Sequence, residues 1–531
     1  MDTKPHCFTV LMLPWLAHGH ISPFLEVGKR LSKRNFHVYF CSTPVNLCSI
    51  RDQLSEKIFP SIQLVEIHLP TLPGLPPHYH TTKGLPPHLM PTLKQAFDMA
   101  KPSFLNLLRT LKPDLLIYDF IQPWAPTLAS SLDIPAVQFL ITGGATSAFF
   151  YHICKNPGVK FPFPAIYLEK HEDRKITQLL ESSANGLTDK VRLIQSIDQS
   201  SRFIMFKTFR EIEEKYIDYY SVITGKEILP VGPLVLDTTQ NEDNQQWESM
   251  EWLNKKDPCS VVFVSFGSEF FLSKAELEEM AYGLELSGVS FIWVVRFPEG
   301  EKMSLDEALP EGFLGKVGEK GIVVEGWAPQ AQILDHSSIG GFVSHSGSGS
   351  VMEGMKFGVP LVAMPMHLDQ PTNSRVVVEL GVGVEVKREK DGSFLRGEAA
   401  KAIKEVVVEK QGEEVRRKAR ELSEKIREEE MDMVAEKLGE LCSNSKRSEE
   451  EEIKVVAGKL GELCSNSKRK EKEMEVVAGK LGELCSNSKR EEKEVEVVAA
   501  GKVGKLCSEM KVVAEKFGEL RSNSKSEALV A

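Results

Sequence analysis

Two parts of the chain alternate short apolar runs with amphipathic segments, and this alternation limits the fold more than any other feature. In the first half, the runs FTVLMLPW, HVYFCST, DLLIYDF and PAVQFLI read as strands, and ISPFLEVGKRLSKRN reads as a helix. After residue 259, SVVFVSFGS, FIWVVR, GIVVEGW, GGFVSH and PLVAMP are further strand candidates, and KAELEEMAYGLELSG is a helix. Strands that alternate with helical patterns predict parallel sheets with helical crossovers. We therefore expect an α/β chain with two Rossmann-like parallel-sheet domains.

Shifts in composition predict the domain boundaries. The segment PVGPLVLDTTQNEDNQQW contains a polar run with few apolar residues, which is typical of a linker. We place this linker at residues 237–246, between an N-terminal domain of residues 1–236 and a C-terminal domain of residues 247–430. At 531 residues, the chain is long enough for two or three domains.

Residues 431–531 are repetitive. The sequence LGELCSNSKR begins at Leu438, Leu460 and Leu481, and a cysteine recurs every 21 or 22 residues. A polar stretch interrupts the apolar seam once per repeat, whereas a coiled coil needs a sustained seam. Isolated helices shorter than ~12–15 residues are marginal in water. We predict a partly helical, weakly docked tail. A self-association module is the alternative, and a metal site built from single, widely spaced cysteines is disfavoured.

Composition excludes several functional classes. The formal net charge is -10, which argues against nucleic-acid binding because that function needs clustered excess Lys and Arg. No window holds ~18 consecutive apolar residues, so we expect no membrane span. The first apolar run is broken by Pro14 and reads as a strand rather than a signal peptide. The nine cysteines fit free thiols in a reducing compartment, so we predict a cytoplasmic location. We also expect a monomer.

The stretch WAPQAQILDHSSIGGFVSHSGSGSVMEGMKFGVPLVAMPMHLDQ carries the groups that a nucleotide-sugar donor needs. Trp327 offers a flat face for the base. The run HSGSGS precedes a probable helix that starts near Val351, and a helix N-terminus presents N–H groups and a positive dipole end to a diphosphate. Glu353 offers a carboxylate for the ribose diol. Asp369 and Gln370 offer polar groups for the sugar.

Each of these features also has a simpler explanation. Trp327 could be a strand-end residue packed in the core, and Glu353 could be a solvated first-turn residue that complements the helix dipole. Gly347 and Gly349 let the backbone approach phosphates closely. They do not form a dinucleotide fingerprint, because GSGSVMEG lacks the third glycine of GxGxxG at the required spacing.

In length and at most fixed positions, this stretch resembles the signature box of plant secondary-metabolite UDP-glycosyltransferases. The resemblance implies the GT-B fold, in which two Rossmann-like domains face a cleft, and a UDP-glucose donor, because Gln at the last position accompanies that sugar. No DxD motif is present, so the resemblance implies neither a metal ion nor any other cofactor. It assigns contacts with the sugar donor to Ser268, Trp327, Ala328, Gln330, His345, Gly347, Ser348, Gly349, Ser350, Glu353, Asp369 and Gln370.

The chain departs from this family pattern within the phosphate-binding run. The family usually reads His-Cys-Gly-Trp-Asn-Ser, and this chain reads His-Ser-Gly-Ser-Gly-Ser. Ser348 replaces a large aromatic residue, and Gly349 replaces a side-chain amide. The backbone cradle should remain, and restoring Trp and Asn should raise transfer or tighten binding of the sugar donor. A UDP-sugar-binding protein with weak or no transfer activity is the alternative function.

His20, in PWLAHGHISP after the first strand, is the candidate catalytic base. An imidazole can accept the proton of an attacking hydroxyl near neutral pH. A surface histidine is the simpler explanation, and His18 is a near neighbour. The resemblance assigns catalysis to His20 and orientation of its ring to Asp119, and it implies inversion of an α-linked donor to a β-glycoside. Asp114 reads as a turn residue.

The N-terminal half should bind the acceptor. Phe120, Gln122 and Trp124, together with the Pro-rich loop at residues 70–91, are mostly apolar or aromatic, as a hydrophobic aglycone requires. The segments PWLAHGHISPFLE, CSTPVNL, HTTKGLPPHLM, SFGSEFFLS and MPMHLDQP most resemble the branch-forming subgroup, which adds a sugar to a flavonoid or terpenoid glycoside. A self-assembling protein whose function lies in the repeats is a further alternative.

Overall fold

A computed structural model describes residues 7–54, 58–235, 248–268, 270–298, 303–426 and 431–445. The predicted linker at residues 237–246 and the repeats beyond residue 445 lie outside the described residues. Within these ranges, no helix combines the length and apolar character that crossing a bilayer requires.

The N-terminal domain is built on a sheet of seven parallel strands. Their order across the sheet is β3-β2-β1-β4-β5-β8-β9, and a separate two-stranded ribbon is formed by β6 and β7. The strands are β1 (Phe8–Leu13), β2 (Phe36–Ser42), β3 (Ile62–Glu66), β4 (Leu115–Tyr118), β5 (Ala136–Leu140), β6 (Ser183–Ala184), β7 (Leu187–Thr188), β8 (Phe203–Phe206) and β9 (Glu227–Pro230).

The C-terminal domain is built on a sheet of six parallel strands in the order β12-β11-β10-β13-β14-β15. These strands are β10 (Val261–Ser265), β11 (Ser290–Val295), β12 (Gly321–Glu325), β13 (Ile339–Ser344), β14 (Leu361–Ala363) and β15 (Gly383–Glu385). Nearly every residue of β10, β11 and β13 is buried, because helices cover both faces of the sheet.

Helical crossovers connect successive strands in both domains. The helices of the N-terminal domain are α1 (His18–Ser32), α2 (Pro44–Ile50), α3 (Met90–Met99), α4 (Lys101–Leu111), α5 (Trp124–Ser130), α6 (Gly144–Lys155), α7 (Lys170–Glu181), α8 (Asp189–Asp198) and α9 (Arg210–Thr224). Those of the C-terminal domain are α10 (Glu248–Leu253), α11 (Lys274–Ser287), α12 (Leu305–Ala308), α13 (Phe313–Val317), α14 (Gln330–Leu334), α15 (Ser348–Lys356), α16 (Gln370–Leu380), α17 (Arg396–Val407) and α18 (Glu413–Lys425). Short 3-10 turns occupy Arg51–Gln53, Pro77–Tyr79, Pro87–Leu89, Gly318–Lys320 and Lys410–Gly412.

The predicted α/β architecture is confirmed, and two helix starts differ from expectation. Helix α1 begins at His18, so His20 lies in its first turn rather than in a preceding loop. Helix α15 begins at Ser348 rather than near Val351, because Gly347 already has the extended backbone of an N-cap residue. Ser348, Gly349 and Ser350 of the phosphate-binding run are therefore part of the first turn of this helix, and Ser346 and Gly347 precede it.

The strand order reverses direction at one point in each sheet. In the N-terminal sheet, β1 lies between β2 and β4, and in the C-terminal sheet β10 lies between β11 and β13. Ligands of doubly wound sheets bind outside the carboxyl ends of the strands at such switch points. The segments after β1, β4, β10 and β13 contain His20, Asp119, Ser268 and the HSGSGS run, so the predicted site residues flank both switch points.

The last described helix, residues 431–445, returns to the N-terminal domain and is called the return helix below. Met431, Val434, Leu438 and Cys442 on one face are almost fully buried in the core beneath the N-terminal sheet. Lys437 forms an ion pair with Glu227 at the start of β9. The predicted tail began at residue 431, whereas this segment, which includes most of the first repeat copy, belongs to the N-terminal core.

Candidate active site

The first-turn histidine of α1 is held by a buried carboxylate from the neighbouring strand. His20 Nδ1 lies 2.7 Å from Asp119 Oδ2, and Asp119 is fully buried at the end of β4. Asp119 also accepts hydrogen bonds from the backbone N–H groups of Trp15 at 2.9 Å and Phe120 at 2.7 Å. Because these bonds fix the carboxylate, they also fix the orientation of the imidazole.

The predicted acceptor residues divide into one at the site and two in the core. The ring of Phe120 stacks on His20 with a centroid distance of 5.1 Å. Trp124, by contrast, is 7% exposed and packs edge-on against Phe97 and Phe104. Gln122 is fully buried and donates to the Leu13 carbonyl at 3.1 Å. The assignment of Gln122 and Trp124 to the acceptor pocket is therefore corrected: Gln122 is hydrogen-bonded to the end of β1, and Trp124 belongs to an aromatic cluster in the core.

The Pro-rich loop at residues 70–91 packs beside the segment that carries the histidine. Thr82 donates its backbone N–H to the Leu16 carbonyl at 2.9 Å, and the hydroxyl of Thr81 reaches the same carbonyl at 3.3 Å. Leu75 is fully buried among the aromatic residues of this side of the sheet. The loop is thus anchored four residues before His20, which places it at the edge of the site. Asp114 is at a bend directly before β4, and its carboxylate accepts hydrogen bonds from the backbone N–H and the hydroxyl of Thr9 in β1.

The segment between β12 and α14 presents the candidate base-binding surface. Trp327 is 62% exposed, so the interpretation that it is a core residue is wrong. Ala328, beside it, is buried. Gln330 begins α14, and its amide donates to the carboxylate of Glu353. Trp327 is thus an aromatic residue with little packing of its own, next to a hydrogen-bonded pair of polar side chains.

Glu353 occupies the second turn of α15. Its carboxylate accepts from Gln330, so it is not a solvated first-turn residue. Burial raises the pKa of the Glu353 carboxyl, while the Gln330 hydrogen bond and the charge of Lys207 oppose this effect. Gln330 therefore orients the Glu353 carboxylate, and the protein compensates only part of the cost of burying its charge. These are the properties that a carboxylate binding a diol would need.

The candidate phosphate cradle is built from backbone that packs around a histidine ring. A Cβ atom at Gly267 or at Gly347 would lie only 2.6 Å from the imidazole of His345. Gly267 also has φ +79°, so no other residue fits there without strain. Burial lowers the pKa of His345 to about 3, so the ring is neutral at physiological pH. Ser268 follows Gly267 at the carboxyl end of β10.

The altered positions of the phosphate-binding run face the N-terminal domain. Ser348 is almost buried, and its hydroxyl donates to the Ile141 carbonyl at 2.8 Å. Ser350, two residues further along α15, is also buried and lies 3.4 Å from the amide of Gln330. A Cβ atom on Gly349 would lie 3.7 Å from the Nζ atom of Lys207, which follows β8. The small residues at 348 and 349 therefore allow close approach of the two domains.

The start of α16 positions the candidate sugar-binding groups. Asp369 is the N-cap residue, and Asn373 donates to its carboxylate at 2.7 Å and to the Ser346 carbonyl at 3.0 Å. Burial raises the pKa of the Asp369 carboxyl, and the Asn373 hydrogen bond and the nearby His20 and Lys207 partly offset this rise. The carboxylate of Asp369 thus faces the pair formed by His20 and Asp119 from the other domain.

Gln370 holds the turn that precedes α16. Its side-chain carbonyl accepts from the backbone N–H groups of Met366 at 2.9 Å and His367 at 3.0 Å. Because the carbonyl is engaged, any contact of Gln370 with a sugar would come from its amide nitrogen.

Two residues at the site were not predicted from the sequence. Lys207 immediately follows the buried run FIMF, and a lone lysine at the carboxyl end of a parallel strand could have drawn attention to it. Asn373 lies one helical turn after Asp369, a spacing at which two side chains meet on a helix surface. Both depend on contacts between segments that are distant in sequence, so local motifs did not find them.

We expect the double variant Ser348→Trp/Gly349→Asn to transfer sugar more slowly than the wild type, contrary to the expectation from the family pattern. The indole would displace the Ser348–Ile141 hydrogen bond from a nearly buried position, and overpacking of this kind typically costs 1–3 kcal/mol. Measuring kcat/KM and Tm tests this, with Ser348→Ala as the control that removes only the hydrogen bond. Faster transfer by the double variant would show that the family residues fit this pocket.

Comparisons with known proteins agree with this geometry. Residues 7–236 match the family described as glycosyltransferase, N-terminal domain, and residues 213–424 match the family described as UDP-glucoronosyl and UDP-glucosyl transferase. A mogroside IIIx synthase of Siraitia grosvenorii is 54% identical over 440 residues, which cover 81% of this chain and 92% of that protein. A flavanone 7-O-glucoside 2''-O-beta-L-rhamnosyltransferase of Citrus maxima is 49% identical over 454 residues, which cover 84% of this chain and 100% of that protein.

Among solved structures, a Glycyrrhiza uralensis glycosyltransferase, UGT73P12, complexed with glycyrrhetinic acid 3-O-monoglucuronide, has a similar fold. The TM-score is 0.71 at 25% sequence identity, and the match covers 86% of this chain and 99% of that protein. The similarity therefore spans both sheets.

Proposed function

We infer that this chain, which belongs to the UDP-glucoronosyl and UDP-glucosyl transferase family, transfers glucose from UDP-glucose to a hydroxyl of a small hydrophobic plant metabolite. We further propose that the accepting hydroxyl belongs to a sugar already attached to a flavonoid or terpenoid. The reaction inverts the anomeric centre and uses no bound metal ion.

The pairing of His20 with Asp119 at the switch point of the N-terminal sheet carries this proposal. Asp119 accepts a hydrogen bond from the Nδ1–H group of His20. His20 Nε2 can then remove the proton of the acceptor hydroxyl as the hydroxyl oxygen attacks the anomeric carbon. The bond between that carbon and the UDP oxygen breaks, and UDP leaves with the electron pair. Attack from the face opposite UDP gives the inverted glycoside.

Two observations support the choice of substrates. Gln370 is at the position that accompanies glucose donors in the family, with its amide nitrogen left for the sugar. The Citrus maxima relative acts on a glucoside, and UGT73P12 binds a monoglucuronide, so both accommodate an acceptor that already carries a sugar. The Citrus enzyme transfers rhamnose, which makes UDP-rhamnose the main competing donor.

A mass-spectrometric screen tests the proposal. Purified protein is incubated with UDP-glucose, UDP-rhamnose or UDP-glucuronic acid and with matched pairs of aglycones and their monoglucosides. We expect a mass gain of one hexose on monoglucosides. Products only with another UDP-sugar would change the proposed donor, and products only on aglycones would change the proposed acceptor. Binding of UDP without any product would favour a UDP-sugar-binding protein, the function that the changes at Ser348 and Gly349 suggest.

We expect Trp327→Ala to weaken UDP binding without lowering Tm. Trp327 is 62% exposed, so its removal sacrifices little packing, whereas stacking of a base on an aromatic side chain is worth about 1–3 kcal/mol. The corresponding loss of affinity is roughly 5- to 150-fold by calorimetric titration. Trp327→Phe retains a flat face and should lose less. Unchanged affinity in Trp327→Ala would remove the base-binding role.

A further inference from the structure

Lys207 is a buried cation that the N-terminal domain extends toward the phosphate cradle of the other domain. It follows β8 directly and is 5% exposed. Burial of an ammonium is costly unless a negative charge compensates it. Within the part of the chain that the structure describes, no carboxylate lies within ion-pair distance of its Nζ atom. The fold therefore maintains a desolvated positive charge that protein groups only partly neutralise.

The positive charge of Lys207 lies beside the first turn of α15. A Cβ atom on Gly349 would lie 3.7 Å from Lys207 Nζ, so the ammonium is beside the backbone N–H groups that begin this helix. A helix N-terminus attracts anions, and a lysine beside it would normally be repelled. The ammonium of Lys207 and the N-terminus of α15 are thus two positive groups at one location. This arrangement is favourable only if a polyanion binds between them.

The acidic side chains around Lys207 are set back from it. Glu353 on α15 and Asp369 at the start of α16 face Lys207 and favour its charged form, and Asp369 also faces His20. If Glu353 binds the ribose and Asp369 the sugar, the diphosphate joins these two parts of the ligand. The ammonium, which interacts electrostatically with both carboxylates, then faces the diphosphate.

We propose that Lys207 binds the diphosphate of the UDP-sugar. Its ammonium would take the place of the asparagine amide that the family pattern has at position 349, where this chain has glycine. This assignment rests on the proposed function. The ammonium stabilises the negative charge that builds up on the leaving UDP oxygens as the glycosidic bond breaks. It also makes binding of the sugar donor bridge both domains, since the cradle belongs to one domain and Lys207 to the other.

The proposal is tested by comparing UDP with uridine, which has the same base and ribose but no phosphate. We expect Lys207→Met to weaken UDP binding by about 10- to 100-fold, as for the loss of a charge-assisted hydrogen bond, and to leave uridine binding unchanged. Lys207→Arg keeps the charge and should retain most of the affinity. Equal affinities of wild type and Lys207→Met for UDP would overturn the proposal, as would an equal loss for UDP and uridine, which indicates a structural role.

The pH dependence provides a second readout. Burial lowers the pKa of Lys207 to about 8. The protonated form binds the diphosphate, so UDP affinity should be full below this value and fall about tenfold between pH 7 and pH 9. Lys207→Arg should abolish this fall, because an arginine remains charged, while Glu353 and Asp369 are retained in both proteins. Uridine controls for titration of the base. An equally steep fall in Lys207→Arg would contradict the assignment.

A reciprocal pair of variants tests the replacement of the asparagine. We expect Gly349→Asn to weaken UDP binding in the wild type, where the amide and the ammonium compete for space, and to strengthen it in Lys207→Met. A double-mutant cycle isolates this coupling. Additive effects would show that the two positions are independent and would refute the replacement. If the wild type binds uridine and UDP with equal, negligible affinity, the proposed function itself has failed, which is a different outcome from any of these.

Discussion

Replacing His20 with alanine should lower the rate of sugar transfer by about 10²–10⁴-fold or more and leave UDP affinity nearly unchanged. Loss of a positioned general base has this magnitude, and the loss is larger when the base acts as part of a unit. His20 is in the first turn of α1, with its ring fixed by Asp119 and Phe120. Single-turnover kinetics with UDP-glucose and a responsive acceptor measures the chemical step. A variant that keeps more than half of the wild-type rate would exclude His20 as the base.

Asp119→Asn is the matched control for this prediction. It should reduce transfer less than His20→Ala, because it disturbs the orientation of the base and leaves the base in place. It should also lower Tm, since the Asp119 carboxylate accepts from the backbone of Trp15 and Phe120 as well as from His20. His20→Ala leaves both of these backbone hydrogen bonds in place. The two variants are therefore distinguished by stability as well as by rate.

A chain that ends at residue 430 should fail to fold, whereas a chain that ends at residue 445 should remain active. The return helix buries Met431, Val434, Leu438 and Cys442 almost completely. Full burial of one such side chain is worth about 1.5–3 kcal/mol, so the combined loss is comparable with the 5–15 kcal/mol stability of a typical domain. Soluble expression, circular dichroism and transfer assays of both proteins test this expectation.

The repeated sequence offers an internal control for the same prediction. Leu438 and Leu460 occupy the same position in successive copies of LGELCSNSKR. Leu438→Ala should destabilise the chain by about 2–5 kcal/mol, as for other fully buried leucines, and Leu460→Ala should have little effect. Equal effects on Tm would mean that the second copy contributes to stability as much as the first. Loss of activity by a folded chain ending at residue 445 would assign a function to the repeats.

The pairing of His20 with Asp119 was an expectation from the family resemblance. The structure explains why the two residues are close: β1 and β4 are neighbouring parallel strands, so the segments that follow their carboxyl ends lie together. Lys207 follows β8, two strands away from β4 in the same sheet, and only the packing of one domain on the other brings it to the phosphate cradle. A local pattern contains no information on that packing.

Errors in the prediction have a common physical cause. Trp124 is aromatic and close in sequence to Asp119, and sequence proximity suggested a place at the acceptor site. It begins α5, however, and turns into the aromatic cluster with Phe97 and Phe104. The first repeat copy was likewise grouped with its duplicates, although its apolar face is part of the N-terminal core. In both cases burial, which a single sequence does not specify, decided the role of the residues.

The return helix has a mechanical consequence for the enzyme. The chain passes from the first domain to the second between residues 235 and 248, and it passes back between residues 426 and 431. Two bodies tied together at two points can swing about the line through those points, but they cannot twist freely or slide apart. We expect the entry of the nucleotide sugar and the exit of UDP to follow such a one-axis swing. Contacts between the two domains, such as the Thr146–Thr372 hydrogen bond of 2.7 Å, would act as its latch.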